Sequence, residues 1–223
     1  MPGPAWGNDT TEDGQIIATN TLRLMRQLMS EVPLRLLPTL NLAHTWHRNL
    51  YAKVPSVPSA TYLRNPRGSN HSDLLDYQVV MVNGVSGAVI AEGVPANKVA
   101  DHLQHFEQAA QGIVGSLDAV IAPGVGPANN DQLNGVALLA ATLHGEWVRI
   151  HPYANGNGRV ARVWANWALL RYNVPPVVRI KPRPGDLLYS QAAQASMGAR
   201  PDFRGDHDLM HQWVINEIRS AYQ

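Results

Sequence analysis

The stretch HPYANGNGRVAR, residues 151–162, carries most of the chemistry legible in this 223-residue chain. Gly156 and Gly158 flank Asn157 where a helix is predicted to begin. The unpaired N–H groups and positive dipole end of a helix N-terminus face any anion held in such a loop. Glycine also lets the backbone approach that anion closely. Arg159 and Arg162 stand three residues apart on the following helix, so both guanidinium groups share one face near the same N-terminus and reach two further phosphates. His151 closes the preceding helix and leans over the loop, where its imidazole can take the proton of an attacking hydroxyl. These residues describe a polyphosphate site with a general base. The bland alternative is an Asn-Gly-Asn-Gly turn between helices with solvated arginines, and the histidine before it and the spaced arginines after it weigh against that. Other phosphate patterns fail: there is no GxxxxGK[ST], and Gly124-Val125-Gly126 lacks the third glycine and strand–helix setting of a dinucleotide fingerprint.

Elements able to position such a loop flank it on both sides. Asp131 to Arg149 is apolar on nearly every face, as suits the centre of a bundle, and Arg159 to Tyr172 repeats Val160, Val163, Trp164, Trp167 and Leu170 at helical spacing. Further helices are predicted over Ile16 to Met29, from Leu34 or Thr39 to Tyr51, and over Ala96 to Leu117, Asp186 to Met197 and His207 to Tyr222. The one convincing β segment is a hairpin in which Tyr77 to Val82 and Ala88 to Glu92 flank an Asn83-Gly84 turn. Lys53 to Asp76 reads as a long loop, and residues 1–15 as a flexible arm without period. The fold class is mostly α, one domain over residues 16–223.

Composition narrows the function classes. Eighteen Lys and Arg against seventeen Asp and Glu give a net charge of +1, which removes the argument for bulk nucleic-acid binding. The absence of cysteine excludes disulfide scaffolds, thiolate zinc sites, iron–sulfur clusters and cysteine nucleophiles. No leader pattern and no membrane-length apolar run is present, so no membrane partner and a cytoplasmic location are expected. His44 with His47, and His207 with His211, have spacings that place two imidazoles on one helix face, but a third metal ligand is missing and a core or surface role suits each pair better. For His144, packing or a supporting hydrogen bond is the better reading. The six tryptophans are expected in the core.

The segment 151–162 resembles the signature of the Fic/Doc family, HPFx(D/E)GNGRxxR. The resemblance runs outward from about Asn41 to Pro176. Leu143-His144 before Trp147 and Ile150 is similar to the family's helix leading into the signature, and Ala165 to Tyr172 to the helix after it. Trp46-His47-Arg48 with Tyr62-Leu63-Arg64 resembles a more weakly patterned family segment. The resemblance implies a helical bundle whose hairpin, about residues 77–92, is a flap that docks a target protein. It implies transfer of AMP from ATP to a Ser, Thr or Tyr hydroxyl. His151 would be the general base, Asn157 with the Gly156 and Gly158 amides the anion hole, and Arg159 and Arg162 the partners of the β and γ phosphates. Gly158 speaks against the phosphate-transferring branch, which carries Lys there. Two positions depart from the pattern. Tyr153 replaces Phe, a mild change if the hydroxyl finds a partner. Asn155 replaces the acidic residue that holds Mg²⁺, keeping a carbonyl oxygen but losing the charge, so Mg²⁺ or Mn²⁺ affinity should fall. Transfer of another phosphate-linked group such as UMP or phosphocholine, or a silent nucleotide- or protein-binding module, are the alternatives. Relatives often carry an inhibitory [ST]xxxE[GN] helix. Glu92-Gly93 has Ala88 four residues earlier and Glu217 precedes Ile218, so either a separate inhibitory antitoxin supplies that glutamate to a toxin-like chain or nothing does.

Overall fold

A helix that is apolar on almost every face must be surrounded by others, and two such helices lie at the centre of this chain. The computed structural model describes residues 4–6, 9–82, 86–198 and 202–222. In chain order its elements are α1 (Thr11–Glu31), α2 (Leu40–Leu50), β1 (Val80–Val82), β2 (Val89–Glu92), α3 (Val99–Asp118), α4 (Asn130–Ile150), α5 (Asn157–Arg171), α6 (Leu187–Met197) and α7 (Asp208–Ala221). Helix α4 packs against α3, α5, α6 and α7, while α1 and α2 cover another side of α5. Trp164 of α5 is fully buried and meets Trp46 of α2 edge-on at 4.7 Å and Phe106 of α3 at 5.4 Å. Truncating a side chain so placed typically costs about 3–5 kcal/mol. The six-residue connection between α4 and α5, residues 151–156, is thus held at both ends by the core. Among the described residues no helix is long and apolar enough to cross a membrane.

The fold is mostly helical with one hairpin, as the sequence predicts, and its boundaries move for local reasons. Helix α1 begins at Thr11 rather than Ile16 because Thr10 and Asp13 form a reciprocal cap: Asp13 N–H donates to Thr10 Oγ1 at 3.1 Å and Thr10 N–H to Asp13 Oδ2 at 2.8 Å. The expected arm over residues 1–15 is therefore corrected over its described part. Trp6 is buried, its N–H reaches the Tyr77 hydroxyl at 3.3 Å, and the Pro4 carbonyl accepts from the Tyr62 hydroxyl at 2.8 Å. A single anchoring tryptophan leaves no periodic trace in a sequence. The hairpin strands are shorter than expected. They pair antiparallel in the register Val80 with Glu92, Met81 with Ala91 and Val82 with Val89, with a register shift between Met81 and Val82. The Asn83-Gly84 turn lies outside the described residues.

Candidate active site

Helix α4 ends because His151 turns into the left-handed region, φ 52° and ψ 56°, while its N–H still donates to the Trp147 carbonyl at 3.0 Å. Its Nδ1 lies 2.8 Å from the Val148 carbonyl. A carbonyl only accepts, so Nδ1 carries the proton and Nε2 the lone pair. Burial pushes the imidazole pKa down to about 4, with the Val148 bond raising it and the Arg67 guanidinium lowering it further. At neutral pH His151 is an uncharged base. It lines a cavity of about 590 Å³ together with Asn155, Asn157, Gly158, Arg159 and Arg162. The sequence-predicted residues thus converge on one space.

Their tasks inside that space differ from the expectation at two positions. The Asn157 side chain, expected at the anion, instead ties the loop: Oδ1 accepts the Tyr153 N–H at 2.8 Å and Nδ2 donates to the Tyr153 carbonyl at 2.7 Å. A buried amide must satisfy both ends, and the loop backbone does so here. The Gly156 N–H is also engaged, by Asn155 Oδ1 at 2.6 Å. What remains for an anion are the backbone N–H groups of Asn157 and Gly158, the first two of α5, which have no acceptor among the described residues. Gly156 is required for another reason. Its φ is +86°, and a Cβ there would run into the Tyr51 ring.

Beneath the loop, Tyr153 fills a buried hole and stacks on His47 at 3.8 Å, and its hydroxyl meets His44 Nδ1 at 2.8 Å. His47 Nε2 donates to the Asn155 carbonyl at 2.9 Å, and burial holds its pKa down at about 3. These two histidines of α2 support the loop rather than a metal. His144 has the supporting hydrogen bond expected of it, 3.1 Å from the Tyr189 hydroxyl, and His207 bonds Glu146 at 2.8 Å.

The two arginines are not equivalent. Arg162 is 5% exposed; its Nε and Nη2 donate to the Ile180 carbonyl at 3.1 and 2.9 Å, and Nη1 to the Tyr189 hydroxyl at 2.8 Å. A Cβ at Gly158 would sit 3.3 Å from that same Nη1, so glycine keeps the guanidinium close beneath the first turn of α5. Arg159 pairs through Nη1 with the Tyr51 hydroxyl and through Nη2 with the Asp9 carboxylate, which also accepts from Lys181 Nζ at 3.0 Å. A carboxylate of the same chain thus stands beside the cation expected to hold a phosphate. Asp9, Lys181 and Tyr189 were missed by sequence reasoning. Asp9 and Arg159 lie 150 positions apart, and no spacing rule connects them.

The donors among the described residues do not build a protein-held divalent-metal site. Asn155 is neutral and its Oδ1 faces the Gly156 amide, and the Asp9 carboxylate is already paired with two cations. Among the described residues no three His, Asp or Glu side chains converge. Mg²⁺ would need carboxylate or phosphate oxygens.

A family model described as the Fic/DOC family matches residues 39–169. A uridine 5'-monophosphate transferase from Xanthomonas campestris pv. campestris (strain 8004) is 49% identical over 37 residues, 17% of this chain and 7% of that protein. A protein adenylyltransferase Fic from Drosophila mojavensis is 40% identical over 52 residues, 22% of this chain and 10% of that protein. The matches therefore span a tenth or less of these relatives' length. The crystal structure of a Fic domain containing signaling protein from Bacteroides thetaiotaomicron VPI-5482 superposes with a TM-score of 0.59 at 16% identity, covering 96% of this chain and 69% of that one, which shows the shared fold. With the signature loop closed between α4 and α5 and a family match running over more than half of its length, this chain belongs to the Fic/DOC family.

Proposed function

We propose that the chain is a Fic-type nucleotidyltransferase that moves AMP from ATP to a hydroxyl of a protein. The observation that carries the reading is the pairing of a neutral His151, its Nε2 lone pair free of the Val148 carbonyl, with the Asn157 and Gly158 amides, which have no acceptor among the described residues, across one cavity. In the proposed step Nε2 takes the proton of the incoming hydroxyl, the hydroxyl oxygen bonds the α-phosphorus, and the bond from that phosphorus to the bridging oxygen breaks. Pyrophosphate leaves with the electron pair. The two amides and Arg159 stabilise the charge that develops on the phosphate oxygens. Val79 and Val80 line the same cavity, so an extended target peptide lying along the hairpin would bring its hydroxyl toward His151.

UMP as the transferred group is the second reading, favoured by the 49% identity over 37 residues to the uridine 5'-monophosphate transferase. Incubating the pure protein with α-labelled ATP or UTP, beside His151→Ala, tests both. Label transferred to protein by the wild type and lost in the variant, with ATP affinity kept, is the expected result. Label from UTP alone selects the second reading. A variant that transfers as well as the wild type overturns both.

A further inference from the structure

Arg67 lies in the long connection between α2 and β1 and is 1% exposed, yet no carboxylate pairs with it among the described residues. Guanidinium groups are seldom buried that way unless their donors are matched by other means. Here four backbone carbonyls match them. Nε donates to His151 at 2.7 Å, Nη2 to Ile150 at 3.1 Å and to Val94 at 2.9 Å, and Nη1 to Tyr77 at 2.9 Å. Two of these carbonyls form the negative end of α4, where a cation is favoured by the helix dipole. The other two stand at the base of the hairpin, before β1 and after β2. The Arg67 N–H itself donates to the Pro152 carbonyl at 2.7 Å.

Gly93 closes the arrangement from the hairpin side. A Cβ there would lie 2.8 Å from the His151 Cβ and 3.0 Å from Arg67 Nη2. The hairpin base, Arg67 and the backbone of His151 are therefore in mutual contact. His151 holds a left-handed conformation, which a non-glycine residue keeps only when its surroundings impose it.

We propose that Arg67 is the positioning residue for His151. It clamps the carbonyl end of α4 to the base of the hairpin, so that the base and the strand pair expected to dock the target keep one relative geometry. Arg67 touches no substrate and acts through His151. A lysine in its place supplies the charge as a point and cannot reach four carbonyls in a plane. The inference rests on the reading of His151 as general base, and its test is chosen to separate the two.

Three variants of the full chain, Arg67→Lys, Arg67→Met and Gly93→Ala, are compared with the wild type by melting temperature, ATP affinity, kcat and KM for transfer, and NMR titration of the His151 imidazole. Gly93→Ala leaves both Arg67 and His151 chemically intact and wedges them apart from the hairpin side. The expected result is ATP affinity within about threefold of wild type in Arg67→Lys and Gly93→Ala, because the phosphate donors lie on α5, with kcat reduced roughly 30-fold or more. The His151 resonances should shift in all three, and the pKa should rise in Arg67→Met as the neighbouring positive charge is lost. If Arg67→Met does not fold, the other two carry the comparison. Wild-type kcat in Arg67→Lys and Gly93→Ala overturns the proposal. So does a parallel fall of melting temperature, ATP affinity and kcat, which marks a purely structural arginine. Should the wild type transfer nothing, the functional reading fails by itself, and His151 resonances unchanged in the variants still overturn the role given to Arg67.

Discussion

The Asp9 carboxylate stands on the cations that a polyphosphate must use, so replacing it with asparagine should tighten polyphosphate binding. Asp9 pairs with Arg159 and with Lys181, and the side chains involved are 15%, 16% and 22% exposed. Burial of that degree leaves part of the interaction open to solvent screening. Exposed ion pairs contribute roughly 0.2–1 kcal/mol and hydrogen bonds to charged groups about 1.5–3 kcal/mol, so displacing this carboxylate costs an entering phosphate about 1–2 kcal/mol. With a tenfold change for about every 1.4 kcal/mol, Asp9→Asn should bind ATP or inorganic tripolyphosphate about 5- to 30-fold more tightly. The fold loses a contact at the same time, and a loss of roughly 1 kcal/mol lowers the melting temperature of a chain this long by about 2–4 °C. Affinity and stability therefore move in opposite directions, which a merely structural carboxylate would not produce. Calorimetric titration with tripolyphosphate, ATP and adenosine measures the effect. Adenosine, without phosphates, should not distinguish the proteins, and the ATP gain should shrink as salt is raised, since ions screen the competition. Equal or weaker tripolyphosphate affinity in Asp9→Asn refutes the reasoning.

Arg159→Ala should weaken ATP binding about 10- to 100-fold, the value of a charge-assisted phosphate contact, and should erase most of the Asp9→Asn gain in a double-mutant cycle. Acid should destabilise the protein well before its carboxylates titrate. His47 and His144 are pushed to about 3 and His151 to about 4, in each case chiefly by burial. The unfolded chain therefore binds protons first, so this stability is complete above about pH 6.5 and falls toward pH 4, by up to about 1.4 kcal/mol per histidine per pH unit. A melting temperature that stays flat from pH 7 to 5 contradicts that burial. Asn155→Asp preserves the acceptor for the Gly156 amide while adding a charge. It should make transfer respond to Mg²⁺ and weaken nucleotide binding in chelator; transfer unchanged or slower in Mg²⁺ shows that position 155 has no bearing on metal use.

Local chemistry makes much of this protein legible in the order of its residues alone. The all-round apolar pattern of residues 131–149 announces one central helix and the helical spacing of Val160, Val163, Trp164, Trp167 and Leu170 announces a second, and the glycines between them with Arg159 and Arg162 announce an anion site, because periodicity and the dipole of a helix start are properties of a few neighbouring residues. His151 at the end of α4 belongs to the same short window. Where each donor points is decided only by tertiary contacts. The Asn157 amide turns to the Tyr153 backbone and the Gly156 N–H to Asn155, choices set by His44, His47 and Tyr51 packed beneath the loop. Arg162 bonds the Ile180 carbonyl, Arg159 meets Asp9 across 150 positions, and Arg67 gathers carbonyls from α4 and the hairpin. Long-range hydrogen bonds of this kind leave no spacing in a sequence, because which buried donor meets which acceptor is settled by the packing of the elements that carry them.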